Sequence, residues 1–281
     1  MLSPRRKRNP FAVIWGVLYP IGIHFGIGQI IVYGGLSLLA VCCGSGRSSY
    51  YDQSVLLTGL TGLFSMLPAA LFYKRDFVRR REGGLLTPKC VSLKSVYEDV
   101  LLLLMGAGLA LYANIFVTFL LSGTQEELSY QNSMEQILTG KSLGSVIFWL
   151  GIVAPIAEEM IFRWLIYLRL RDRMRAWAAA LLSGLLFGLY HGNLMQGIYA
   201  AVLGFLFALL LEWSGNLFGS MFLHIGANLW SSLISQLWVR LSDKQAACLL
   251  PVMSAALLLL LAVGFHYFGR KYKAAGRHRA I

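Results

Sequence analysis

The sequence predicts an all-α fold, a polytopic membrane helix bundle of about eight transmembrane helices, and three observations carry that prediction. The first is composition. Of 281 residues, 57% are hydrophobic and only 14% are charged, and the mean hydropathy is +0.63. A soluble globule carries about a quarter of its residues as charges. The second is that the apolar residues come in runs of the length, about 20 residues, that spans a hydrocarbon core as a helix. The third is the placement of charge. A formal net charge of +12 sits in short basic blocks between the apolar runs, as topology signals and lipid-headgroup contacts do. The lipid bilayer is therefore an expected partner and nucleic acid is not.

The runs lie near Phe11–Val41, Val55–Tyr73, Val96–Leu121, Leu143–Leu168, Ala176–Asn193, Gln196–Leu211, Leu217–Trp238 and Ala247–Phe268. The first follows Arg5, Arg6, Lys7 and Arg8, is much longer than a secretory core and lacks a small-residue cleavage site, so it reads as an uncleaved anchor. It is long enough to bend at Pro20 or to lie partly in the interface. The fifth and sixth runs share a very short turn. No stretch of soluble composition remains, so residues 1–281 are expected to form a single integral membrane domain. The segment Ser122–Lys141, with Glu126, Glu127 and Glu135, reads as an acidic polar loop without a motif. Cys42, Cys43, Cys90 and Cys248 have neither C-x-x-C spacing nor histidine partners and read as free thiols.

Loop charges test the count. With the N-terminus inside, nearly all of the 25 Lys and Arg fall on the inner side, in the blocks Arg5–Arg8, Lys74–Lys94, Arg169–Arg175 and Arg270–Arg279. Arg47, Lys141, Arg240 and Lys244 fall outside, and Arg163 alone lies within a span. Cytoplasmic loops hold the excess of Lys and Arg. The expectation is a multi-pass protein of a cell membrane, bacterial, with both termini cytoplasmic.

Three spans carry polar groups that an anchor does not need. In the fourth, Glu158 and Glu159 sit side by side in mid-span, where an ionised group is costly and usually functional. Glu159 and Arg163 stand at i and i+4, placed to pair on one helix face. Glu158 is rotated about 100° away and must find its partner on another helix. The fifth span ends in Phe187-Gly188-Leu189-Tyr190-His191, beside a ridge of Gly184, Gly188 and Gly192 that lets another helix approach. That approach would bring His191 toward a neighbour such as Glu158, although by its position in the run His191 falls nearer the outer end. The seventh span places His224 and Asn228 on one face at i and i+4. Any one cluster alone is equally a helix-packing device; the three together point to a site. His24, His266 and His278 have no such company and are given no role, and Glu98, Asp99 and Glu212 lie at span ends, where charge reaches water.

At these residues the chain resembles the CPBP family, the CAAX-protease and bacteriocin-processing membrane proteins that include the type II CAAX prenyl endopeptidases. The family pattern is E-E-x-x-x-R, then F-x-x-x-H, then H-x-x-x-N or H-x-x-x-D, each on its own membrane helix. Glu158-Glu159 with Arg163, Phe187 with His191, and His224 with Asn228 match it in order and spacing. The resemblance covers a core at about residues 143–232. It implies an intramembrane endopeptidase of the glutamate type acting on a membrane-associated peptide or protein. On that analogy Glu158, helped by His191, activates a water, His224 and Asn228 stabilise the oxyanion, and Glu159, Arg163 and Phe187 support the site.

Two other readings stand beside it. Glu158, His191 and His224 form a possible zinc set of two histidines and a glutamate, although no H-E-x-x-H helix is present; the leading reading needs no cofactor. A non-enzymatic membrane protein, either a bacteriocin self-immunity factor or a transporter using the polar core as a proton relay, is the second class.

Overall fold

The computed structural model describes residues 10–42, 50–85, 87–88, 96–238 and 241–274. Arg5, Arg6, Lys7, Arg8, Cys43, Arg47, Lys89, Cys90, Lys94, Arg240, Arg277, His278 and Arg279, on which the charge count, the cysteine reading and the histidine reading partly rest, lie outside the described residues. Nine helices are present among the described residues: α1 (Pro10–Cys42), α2 (Tyr50–Glu82), α3 (Val96–Leu121), α4 (Gln125–Leu138), α5 (Leu143–Arg171), α6 (Ala176–Tyr190), α7 (Leu194–Ser214), α8 (Leu217–Trp238) and α9 (Asp243–Ala274). All but α4 and α6 are long and apolar enough to cross a membrane.

The expected fifth span is α6, an apolar helix of only 15 residues. At 1.5 Å per residue it is about 22 Å long, short of a core about 30 Å thick. It ends because Gly192, at φ +71°, takes a left-handed conformation that reverses the chain. Gly192 is thus a turn glycine; a Cβ placed there would meet nothing, and the packing ridge consists of Gly184 and Gly188. Their partner is α7, whose Ala201 and Gly197 carbonyls occupy the space that Cβ atoms would need. The ridge therefore closes the α6–α7 hairpin and does not itself bring α6 onto the Glu158 helix.

Helix ends sort into two groups, as alternating spans require. At one end, Arg80 binds Asp172 (3.0 Å), Arg169 binds Asp76 (2.5 Å) and reaches the Gly16 carbonyl and Tyr19, and Arg171 binds Glu212 (2.9 Å). Lys271 and Tyr267 likewise meet Glu98. This basic end ties together α1, α2, α5 and α7, and joins α3 to α9. At the opposite end, Lys141 donates to the Asp52 carbonyl and Gln236 to that of Leu138. Glu98 and Glu212 are thus partners in structural ion pairs at helix ends.

The opposite end also carries α4, where a polar loop was expected. Thr124 caps it by accepting from the Glu127 amide, and Glu127 reaches back to the Gly123 amide. No α4 residue is buried.

The tightest crossing joins α3 to α8 at Gly106 and Gly226. A Cβ on Gly226 would fall on the Leu103 carbonyl, and one on Gly106 on the Leu223 carbonyl. Gly226 lies between His224 and Asn228, so this crossing sets the position of both. Gly226→Ala is expected to cost about 1–3 kcal/mol, as other overpacked interiors do, read as a lowered thermal midpoint in detergent.

Candidate active site

The helix that carries the two glutamates is not a plain α-helix. It is π-helical over Ile147–Val153, α-helical over Ala154–Glu159 and π-helical again over Met160–Tyr167. Such widened turns accompany functional sites, and here their cause is legible. Ala154 returns its amide to the Trp149 carbonyl, five residues back. The next such bond would run from residue 155 to Leu150, but residue 155 is proline and has no N–H. The Leu150 carbonyl instead accepts from Asn228 Nδ2 at 3.0 Å. In the second widened stretch the Phe162 carbonyl accepts from Ser183 of α6 at 3.0 Å. Side chains of α8 and α6 are thereby locked to the site helix through carbonyl groups.

Asn228 thus has a structural duty in addition to any chemical one. Asn228→Ala leaves the part-buried Leu150 carbonyl without this donor and is expected to cost about 1–3 kcal/mol, measured as a fall in thermal midpoint alongside activity.

The adjacent glutamates divide as their geometry on the helix requires. The side chain of Glu159 is fully buried, with Oε1 3.1 Å from Arg163 Nη2 and 3.1 Å from His224 Nδ1. Arg163 is also fully buried, its guanidinium lying over the rings of Phe187 (4.7 Å) and Phe207 (5.3 Å). Such faces attract a cation. Gly204 of α7 leaves the room: a Cβ there would press on Phe187, Gly184 and Arg163 together. The side chain of Glu158, by contrast, keeps 16% of its surface open.

His224 joins the two. With Nδ1 donating to the Glu159 carboxylate, its Nε2 lies 3.5 Å from Glu158 Oε2. The imidazole touching Glu158 is therefore that of His224. His191 sits at the end of α6, where Nδ1 is 2.8 Å from the Phe187 carbonyl. A carbonyl only accepts, so Nδ1 carries the proton and Nε2 is left as an acceptor. The Phe187 ring stands between the histidines, edge-on to His191 at 4.7 Å and to His224 at 5.5 Å. Among the described residues, no three of His, Cys, Asp and Glu lie grouped as metal ligands.

Depth along the bundle brings the two motifs together. Glu158 is 13 residues from the end of α5 at Arg171, and His191 is 15 from the start of α6 at Ala176. At an α-helical rise these are at most about 20 and 22 Å from one shared turn, the widened turns of α5 shortening the first. The shortness of α6 keeps His191 from lying still farther toward the α4 end.

The structure adds two residues that the sequence did not single out. His24 of α1 is buried, with Nδ1 2.6 Å from Ser65 Oγ of α2, and its ring lies 5.3 Å from that of Tyr190. Tyr190 in turn adjoins His191, their rings 6.3 Å apart. An ionisable residue within an apolar run was the available signal for His24; its partner lies 41 residues away on another helix.

The comparisons with known proteins fall on this part of the chain. Residues 140–230 match the family model described as type II CAAX prenyl endopeptidase Rce1-like. A protein of Bacillus subtilis (strain 168) named "Putative membrane peptidase YdiL" is 33% identical over 78 residues, which is 28% of this chain and 32% of that relative. The chain thus spans about a third of the relative's length. No solved structure matches. The matched segment contains Glu158, Glu159, Arg163, Phe187, His191, His224 and Asn228, and over that segment the chain is similar to the type II CAAX prenyl endopeptidases.

Proposed function

We propose that the protein is an intramembrane endopeptidase that hydrolyses a peptide bond of a membrane-associated peptide or protein with a water activated by Glu158. The observation that carries this reading is the division of the glutamate pair: Glu159 is buried and held through Oε1 by Arg163 and His224, while Glu158 keeps an open surface beside an imidazole. In this scheme Glu158 takes a proton from water and the resulting hydroxide adds to the scissile carbonyl carbon, the work of a general base. His191 offers Nε2 to the same water. The oxyanion accepts from Nε2–H of His224 as an imidazolium, whose Nδ1–H stays with Glu159, and from the amide hydrogen that Asn228 retains beyond the one given to Leu150; donors aimed at developing charge are strongly stabilising in a site closed to bulk water. The C–N bond then breaks, and the proton held by Glu158 passes to the leaving amine. Glu159, Arg163 and Phe187 hold His224 and the helix in place. No cofactor takes part.

The test is cleavage of membrane-associated peptides by purified protein in water labelled with heavy oxygen. One heavy oxygen should appear in each new carboxyl terminus, with or without a chelator. Cleavage that is lost to the chelator and restored by zinc would overturn the metal-free scheme, and no cleavage across the peptides of the producing membrane would overturn the protease.

A further inference from the structure

Exposure along the site helix is one-sided. Every residue from Glu159 to Leu168 is buried, whereas Ile152, Ile156 and Glu158 retain open surface. Glu158 is the last partly open residue on this helix before the buried stretch. Helix α8 shows the same polarity: most residues from Leu217 to Ala227 are buried, and burial gives way at Asn228, Leu229, Trp230 and Ser231. On α6 the open residues at the site are those of the turn, with His191 partly open and Gly192 and Asn193 exposed.

Toward the basic end the site is closed. Phe162, Ile166 and Tyr167 have no exposed surface, and beyond them the ion pairs Arg80–Asp172, Arg169–Asp76 and Arg171–Glu212 bind the helix ends together. The partly open residues of α6 and α8 nearest the site lie toward the α4 end. The blocks Lys74–Arg81 and Arg169–Arg175 mark the closed end as cytoplasmic by the charge rule.

We infer that the site is served from the non-cytoplasmic face, and that its substrate is a peptide segment on that side of the membrane, belonging to an exported or membrane-anchored chain. A cytoplasmic carboxyl-terminal tail does not reach Glu158 in this arrangement. The identity of the substrate as a peptide rests on the endopeptidase reading; the direction of access does not.

The experiment therefore reads access without activity. In full-length protein with Cys42, Cys43, Cys90 and Cys248 changed to Ser, single substitutions Ser231→Cys and Leu194→Cys report the open side and Arg175→Cys reports the basic end. Ser231 is exposed one turn beyond Asn228 and differs from Cys by one atom, so it serves if Leu194→Cys fails to fold. A membrane-impermeant thiol reagent should modify Ser231→Cys in right-side-out vesicles and lose that reaction in inside-out vesicles, with Arg175→Cys showing the reverse. If Ser231→Cys fails to react in right-side-out vesicles, the inference is overturned. Failure of the endopeptidase reading shows separately, as absence of labelled product in the cleavage assay.

Discussion

Glu158→Gln is expected to slow peptide hydrolysis by about 10²–10⁴-fold, the usual contribution of a general base, while leaving the thermal midpoint of the purified protein nearly unchanged. The two halves of this expectation have separate causes. Gln has the size of Glu and can still meet His224 across the 3.5 Å gap, and Glu158 is not the carboxylate that balances Arg163. What Gln lacks is a basic oxygen that can take a proton from water. Retention of wild-type turnover by Glu158→Gln would remove this residue from the mechanism.

The second large effect belongs to its neighbour and is one of stability. Glu159 and Arg163 form an ion pair with no exposed side-chain surface on either partner. Removing one partner of such a pair leaves a buried charge uncompensated, at a cost of about 3–5 kcal/mol. Arg163→Met and Glu159→Gln should each lower the unfolding midpoint in detergent by a corresponding amount. Arg163 is the more exposed to loss of its partner, because its Nε and Nη1 have no hydrogen-bond acceptor among the described residues and otherwise rest on the rings of Phe187 and Phe207. The double variant Glu159→Gln/Arg163→Met should recover most of the loss, since a neutral pair of similar volume is tolerated where a lone charge is not. Additive losses in the double variant would mean that the two side chains act separately.

These two outcomes reflect how the site was legible in sequence. The Glu159–Arg163 pair is local: four residues along one helix fix both partners. The contact of His224 with both carboxylates is not, because it depends on how α8 is pressed onto α5, which the glycine crossing of α3 with α8 decides. His24 was passed over for the same reason, since Ser65 and Tyr190 become its neighbours only after α1, α2 and α6 pack. The count of spans came from hydropathy, but the early end of α6 came from one glycine in a left-handed conformation, which sequence assigned to packing. Helix α4 was readable in principle: Thr124 and Glu127 form a threonine-x-x-glutamate cap. The polarity of the segment hid it, because membrane spans are found by apolar length and α4 buries nothing.

The shortness of α6 reaches beyond the protein into the lipid around it. Leu181, Leu185 and Leu189 are exposed along its length, Leu189 at 77%, so this helix forms part of the surface that acyl chains touch. Beside it the apolar wall is about 8 Å shorter than an average hydrocarbon core, a hydrophobic mismatch that a bilayer meets by thinning, at a fraction of a kcal/mol per Å. The thinned patch lies against the turn that carries His191. Bilayer thickness is therefore expected to act on this end of the bundle, short-chain lipids relieving the mismatch that long-chain lipids increase.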